Sequence, residues 1–163
     1  MLPDVFFDGL AHLLPKLNQV AEECGISIGQ WIILWHLVQK GVKDESGQKI
    51  MLRQDITDIL EKRGFGQANI VRLLNGLEDK RLVRRFSLSL ADRQRFFPSS
   101  NGGNRQAVAV DTPGHRKLQD FKVALSAQFE DWRVEQPTLL RTAIAAAKGA
   151  GLNVAALVPK SRR

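Results

Sequence analysis

Between Gln67 and Arg85 the chain runs QANIVRLLNGLEDKRLVRR, and its hydrophobic period changes from helical to strand-like along the way. Ile70, Leu73, Leu74 and Leu77 stand at i, i+3, i+4 and i+7, a stripe that has to face a core. The opposite face carries Ala68, Asn69, Arg72, Asn75 and Gly76, small and amide-rich where a solvated helix would carry Lys and Glu. Small residues allow close approach to another surface, and Asn and Arg can form bidentate hydrogen bonds to adenine and guanine edges. Leu82-Val83-Arg84-Arg85-Phe86 follows with two adjacent arginines at the junction. A neutral-to-basic helix feeding a basic strand is what a winged helix-turn-helix requires, one element for the groove and one for the backbone. The plainer alternative is an ordinary core helix with a solvated back.

Charge is placed unevenly around this stretch. The chain has 163 residues, 24 Lys+Arg and 17 Asp+Glu, a formal net charge of +7. Residues 1–62 hold 6 basic and 9 acidic side chains, residues 63–110 hold 9 and 3, and residues 111–163 hold 9 and 5. The positive field is thus centred on the basic helix and strand, which points to a polyanion, most simply nucleic acid. A membrane surface is the rival partner, but that segment has no basic amphipathic helix with a strong apolar face. No apolar run approaches the roughly 20 residues that span a bilayer. The acidic start, with Asp4 and Asp8, is unlike a signal peptide. Cys24 is the single cysteine, so no intramolecular disulfide forms and a reducing, cytoplasmic setting fits.

In chain order, Phe6, Leu10, Leu13, Leu14, Leu17 and Val20 keep helical spacing, with Pro15 either kinking the helix or restarting it, and Gly25 closing it. Ser27 is the expected N-cap of a buried helix from Ile28 to about Gln39, closed by Gly41. His36 within it is expected to be a hydrogen-bonded core residue rather than a ligand. Residues 42–48 are expected as a loop and Lys49-Ile50-Met51 as a short strand. Leu52, Ile56, Ile59 and Leu60 mark a helix over residues 53–62, and the turn Arg63-Gly64-Phe65-Gly66 leads on, a helix-turn-helix signature.

Phe86, Leu88 and Leu90 alternate with polar residues, Val108 and Val110 with Ala107 and Ala109, and both runs are expected as half-buried strands. They bracket a turn-rich loop, residues 91–104, so a hairpin with an oversized tip is expected, with Arg93 and Arg95 entering and Arg105 leaving. Arginines at such a tip suit a narrow minor groove, or a plain solvated loop. Thr112-Pro113 is a helix start, and Leu118, Phe121, Leu125, Phe129 and Trp132 share one side. A last helix carries Leu139, Leu140, Ala143, Ile144 and Ala147. The terminal segments offer more apolar stripe than a small winged domain can cover, and a two-fold dimer of them is the economical answer.

This order, with NIVRLLNGLEDKRLVRR at its centre, resembles the MarR-type (multiple antibiotic resistance) regulators. Leu77, Glu78, Leu82, Val83 and Arg85 match the family's leucine-glutamate pair and Leu-Val-x-Arg, and Asn104-Arg105 and Thr112-Pro113-Gly114 are similar to its basic wing and following helix start. The departures are Arg81 where the family usually has glycine, a longer turn at residues 61–66, an insertion in the wing, and Asn104 in place of Asp.

The resemblance implies a mainly α fold with a small β-hairpin wing. It divides the chain into an N-terminal dimerisation helix (1–26), a winged helix-turn-helix (27–111) and C-terminal dimerisation helices with a tail (112–163). It also implies a homodimeric transcriptional regulator of double-stranded DNA, often a repressor released by a small aromatic ligand. Carried onto this sequence, Gln67, Asn69, Arg72 and Asn75 would meet base edges or nearby phosphates. Arg84, Arg93, Arg95 and Arg105 would hold the sugar-phosphate backbone or probe the minor groove. Arg72 could equally brace the domain by pairing with an internal carboxylate. One branch of the family senses peroxide through a cysteine assisted by tyrosines; this chain has no tyrosine, and Cys24 is expected to be inert.

One cysteine and the scattered His12, His36 and His115 assemble no metal site at ordinary ligand spacing. Gly64-x-Gly66 lacks the strand and lysine of a phosphate-cradling loop, and no nucleophile-histidine arrangement is evident. The expectation is a binding protein without cofactor and not an enzyme, with a winged-helix protein–protein interaction module as the alternative.

Overall fold

A computed structural model describes residues 4–100 and 103–135 and the isolated positions 141, 144, 145 and 148. The element order is α1 (Asp4–Glu23), α2 (Ile28–Lys40), β1 (Val42–Lys43), β2 (Lys49–Leu52), α3 (Arg53–Glu61), α4 (Gln67–Asp79), β3 (Val83–Ser87), α5 (Leu90–Phe96), β4 (Gln106–Val110) and α6 (Thr112–Glu135). Two compact units result. Ala21–Phe121 forms one, and the other comprises the described parts of α1 up to Val20 and of α6 from Lys122. The last helix expected around Leu139, Leu140, Ala143 and Ala147 lies outside the described residues, as does the side chain of Trp132.

Local chemistry accounts for most helix ends. Ser27 caps α2 through a capping box: Ser27 Oγ accepts from Gln30 N–H at 3.2 Å, and Gln30 Oε1 accepts from Ser27 N–H at 3.1 Å. Gly25 closes α1 with φ +70°, Gly25 N–H bonding to Glu22 O at 2.9 Å and Ile26 N–H to Ala21 O at 3.0 Å. Gly64 repeats that pattern after α3 with φ +86°. After α4 the same hydrogen bonds recur, Arg81 N–H to Glu78 O and Leu82 N–H to Leu77 O, with φ +55° at Arg81. An arginine thus occupies a left-handed position that glycine fills elsewhere in this chain. Pro15 lies inside α1, which runs as one helix from Asp4 to Glu23.

The core stripe of α4 falls as its spacing predicts, with Ile70, Leu74 and Leu77 buried and Leu73 half-buried. Phe121 and Leu118 of α6 are buried, and the Phe121 ring lies 5.0 Å from that of Trp31. His36 is buried as expected, and its Nδ1 meets no hydrogen-bond partner among the described residues. Burial, and secondarily the charges of Arg63 and Lys40, hold its pKa below the ordinary value.

The sheet order is β1-β2-β4-β3, antiparallel throughout, with Ile50 opposite Ala109 and Arg85 opposite Val108. Residues 42–43, expected in a loop, pair with β2 instead. The half-buried alternation expected for residues 107–110 is also corrected, because Ala107, Val108, Ala109 and Val110 are all buried. A strand flanked on both edges, with both faces covered, has no solvated side to alternate with.

The wing differs most from expectation. The strands at residues 83–87 and 106–110 do form a hairpin, but Leu90–Phe96 between them is a helix, not a loop. Ser89 caps it, its Oγ accepting from Asp92 N–H at 3.0 Å. Leu88 and Phe97 bury themselves with Ile50, Leu52, Ala107 and Ala109, and Phe86 and Phe96 pack alongside. The insertion is therefore a folded cap with its own apolar cluster.

Candidate nucleic-acid interface

The exposed face of α4 is the centre of the candidate site. Gln67, Ala68, Val71, Arg72 and Asn75 are exposed on it and Asn69 is half-buried. Arg72 Nη2 donates to Asn69 Oδ1 at 2.8 Å, so the arginine pairs with a neighbouring amide on the surface and not with an internal carboxylate. That bond holds two potential base-reading groups as one unit.

Gly76 belongs elsewhere. A Cβ there would stand 2.5 Å from Gln30 Nε2, so its lack of a side chain serves the packing of α4 on α2 and not a groove. Lys80 extends that contact, its Nζ donating to Gly25 O at 2.6 Å and to Gln30 Oε1 at 3.2 Å. The capping box of α2 therefore also fixes where the far end of α4 lies.

Neither α3 nor α4 has a side-chain hydrogen bond at its N-cap, occupied by Leu52 and Gly66 respectively. Their first turns meet in a cleft of about 190 Å³ lined by Arg53, Gln54, Thr57, Gln67, Ile70, Val71 and Asn104. The lining thus joins one guanidinium, Arg53, three amides, Gln54, Gln67 and Asn104, and the Thr57 hydroxyl with the apolar Ile70 and Val71. Arg53 was not singled out from the sequence because it sits in the acidic third of the chain. The legible signal was its position at the first residue of the helix before α4.

The wing arginines are less free than their sequence positions implied. Arg84 is 55% exposed along its side chain, donates to Gln48 Oε1 at 2.8 Å and lies 3.8 Å from Asp111. Arg93 sits in α5, where its Nε donates to Asn104 O at 3.1 Å and its Nη2 to Ser100 O at 2.8 Å, clamping the segment that returns to β4. Arg95 pairs with Glu45 in the β1–β2 loop. Arg105 is exposed beside Asn104, whose Oδ1 accepts from Gln106 N–H at 2.9 Å. The structure thus brings Gln67, Asn69, Arg72 and Asn75 together on one helix and places Arg93 and Arg95 on another. Glu78 and Arg85, matched above to the family pattern, form an ion pair joining α4 to β3, and the arginine's hydrogen bond holds the Glu78 carboxyl below its usual range.

Cys24 is 8% exposed, and burial raises its thiol pKa above the ordinary value, so the protonated and weakly nucleophilic form prevails at neutral pH. Among the described residues no group of three or more His, Cys, Asp or Glu is placed to hold a metal ion. No described helix is long and apolar enough to cross a membrane.

Two helices joined by a glycine-bearing turn, followed by a hairpin on a small sheet, define a winged helix-turn-helix. No protein-family model matches the chain, and no curated protein matches it. Solved structures do. A MarR-family transcriptional regulator from Rhodococcus sp. RHA1 is 17% identical, covering 93% of this chain and 91% of its own, with a TM-score of 0.57. The S. aureus MepR–DNA complex is 18% identical, covering 93% and 97%, with a TM-score of 0.54. CouR from Rhodococcus jostii RHA1, bound to p-coumaroyl-CoA, is 16% identical, covering 94% and 92%, with a TM-score of 0.56. The chain has the winged-helix fold of the MarR-family regulators.

Proposed function

We propose that this protein is a sequence-specific, duplex-DNA-binding transcriptional regulator, a repressor acting in the cytoplasm as a homodimer through its terminal helices. The observation that carries the reading is the exposed amide-and-arginine face of α4, bordering the cleft that Arg53 also lines and next to a basic hairpin. Gln67, Asn69, Arg72 and Asn75 meet base edges and adjacent phosphates, whereas Arg53, Arg84 and Arg105 take the backbone. Arg93 and Arg95 act one step removed, holding the wing cap in shape. The dimer reading draws on Leu14 and Val123 of the terminal-helix unit, 53% and 61% exposed. Release by a small ligand is part of this reading, supported by the structurally similar CouR, which was solved bound to p-coumaroyl-CoA. The chain acts by binding and not by catalysis.

The test is a salt-titrated gel shift on DNA selected by the purified protein from random fragments. With about six phosphates neutralised, affinity falls roughly 10³-fold between 50 and 200 mM salt. Arg72→Ala should narrow the gap between selected and random duplex by about 1–3 kcal/mol. Arg105→Ala should weaken both duplexes alike and flatten the salt dependence. Absence of retardation at any salt would defeat the proposal in favour of a protein-binding module.

A further inference from the structure

Within the polar face of α4 stands one large apolar side chain, Val71, 38% exposed. It follows Gln67 by four residues and precedes Asn75 by four, so the three share one row along the helix. Ala68, one turn earlier, leaves room beside it, and Val71 itself stands at the rim of the cleft lined by Gln67 and Asn104. A scattered exposed valine needs no explanation on an arbitrary surface. This one occupies the middle of the surface that enters the groove if the DNA-binding reading is right, and the present inference rests on that reading.

The chemistry of the groove then narrows the partner. Every base edge in the major groove presents hydrogen-bonding atoms, and thymine alone among the four adds an apolar group, its 5-methyl. Valine in a helix is held almost entirely in one χ1 rotamer, so its methyls present a fixed apolar surface with little ordering left to lose on contact. The flanking amides complement adenine N6 and N7, which lie on the opposite strand of the same kind of pair. We infer that Val71 reads the 5-methyl group of thymine, making A·T pairs at the centre of each half-site the specificity determinant of this helix. Arg72, held by Asn69, would then address a guanine or phosphate to one side.

The experiment replaces each thymine of a selected duplex in turn by deoxyuridine, which removes the methyl and leaves every hydrogen-bonding atom in place. One thymine per half-site should lose about fourfold in affinity on replacement, the worth of one buried methyl group. The Val71→Ser and Val71→Asn proteins, whose side chains carry no methyl group, should bind the thymine and uracil duplexes with nearly equal affinity. Circular dichroism and melting of the free variants would verify that they are folded, as expected for an exposed position. If tight selective binding persists and no thymine shows a methyl effect, or the effect survives undiminished in both variants, the Val71 assignment is overturned while the DNA-binding reading stands. If the protein selects no duplex at all, both fall together.

Discussion

Replacing Arg81 by glycine should stabilise this protein, although it removes a side chain and adds none. Arg81 follows α4 at φ +55°, where its N–H bonds to Glu78 O at 2.8 Å and the next N–H, that of Leu82, bonds to Leu77 O at 2.9 Å. The two bonds need the left-handed conformation, and there a Cβ crowds the following carbonyl at roughly 1–2 kcal/mol. Glycine removes that strain but frees the unfolded chain, which takes back about 0.5–1 kcal/mol. The Arg81 side chain is exposed, so little packing is lost with it. The balance is a gain of about 0.5–1 kcal/mol, a rise of roughly 2 °C in melting temperature for a chain of this size. Urea unfolding followed by circular dichroism is the assay, with a higher midpoint at an unchanged slope as the expected result. Gly25→Ala and Gly64→Ala, at φ +70° and +86°, should move the midpoint the other way. A lower or unmoved midpoint for Arg81→Gly would refute the assignment of strain to this residue.

Other outcomes follow from the same structure. A Cβ at Gly114 would run into Leu82 O and stand 3.0 Å from Val110 Cγ1, so Gly114→Ala should cost about 1–3 kcal/mol, measured by the same unfolding assay. His36 is held below its ordinary value of 6.5 and stays neutral in the fold, so the unfolded chain binds the extra proton; stability should decline as pH drops through about 6.5 and level off below the folded value. His36→Phe should remove that slope in urea midpoints taken from pH 8 to 5. Glu78, depressed by Arg85, adds a second loss at lower pH, as its stabilisation is present above the usual carboxylate range and vanishes as pH falls through the folded value; Glu78→Gln should abolish that lower step in acid titration. Peroxide or alkylating reagent should leave DNA affinity unchanged because Cys24 is buried and protonated, and a thiol-dependent loss in a gel shift would contradict this.

Several features were legible in the sequence because they are local. Ser27 and Gln30 cap a helix three residues apart, Gly25 and Gly64 turn the chain out of one, and Ile70, Leu74 and Leu77 repeat at helical pitch. Each depends on neighbours within a turn or two, so residue type and spacing are enough. The amide-bearing face of α4 came with the same periodicity, opposite the stripe.

Only the tertiary structure decided what depends on distant partners. Whether Gly76 faces a groove or Gln30 is set by the crossing of α2 and α4, which no periodicity within α4 encodes. Ala107 and Ala109 are buried because β4 lies between β2 and β3, a pairing made across long stretches of chain. The short α5 has too few turns to show an amphipathic repeat, and it forms where Phe97 and Leu88 find a sheet face to cover. The arginines within it looked like groove probes as letters. In the fold Arg93 clamps two carbonyl oxygens and Arg95 meets Glu45, because a charged side chain is committed by whatever the fold brings within reach.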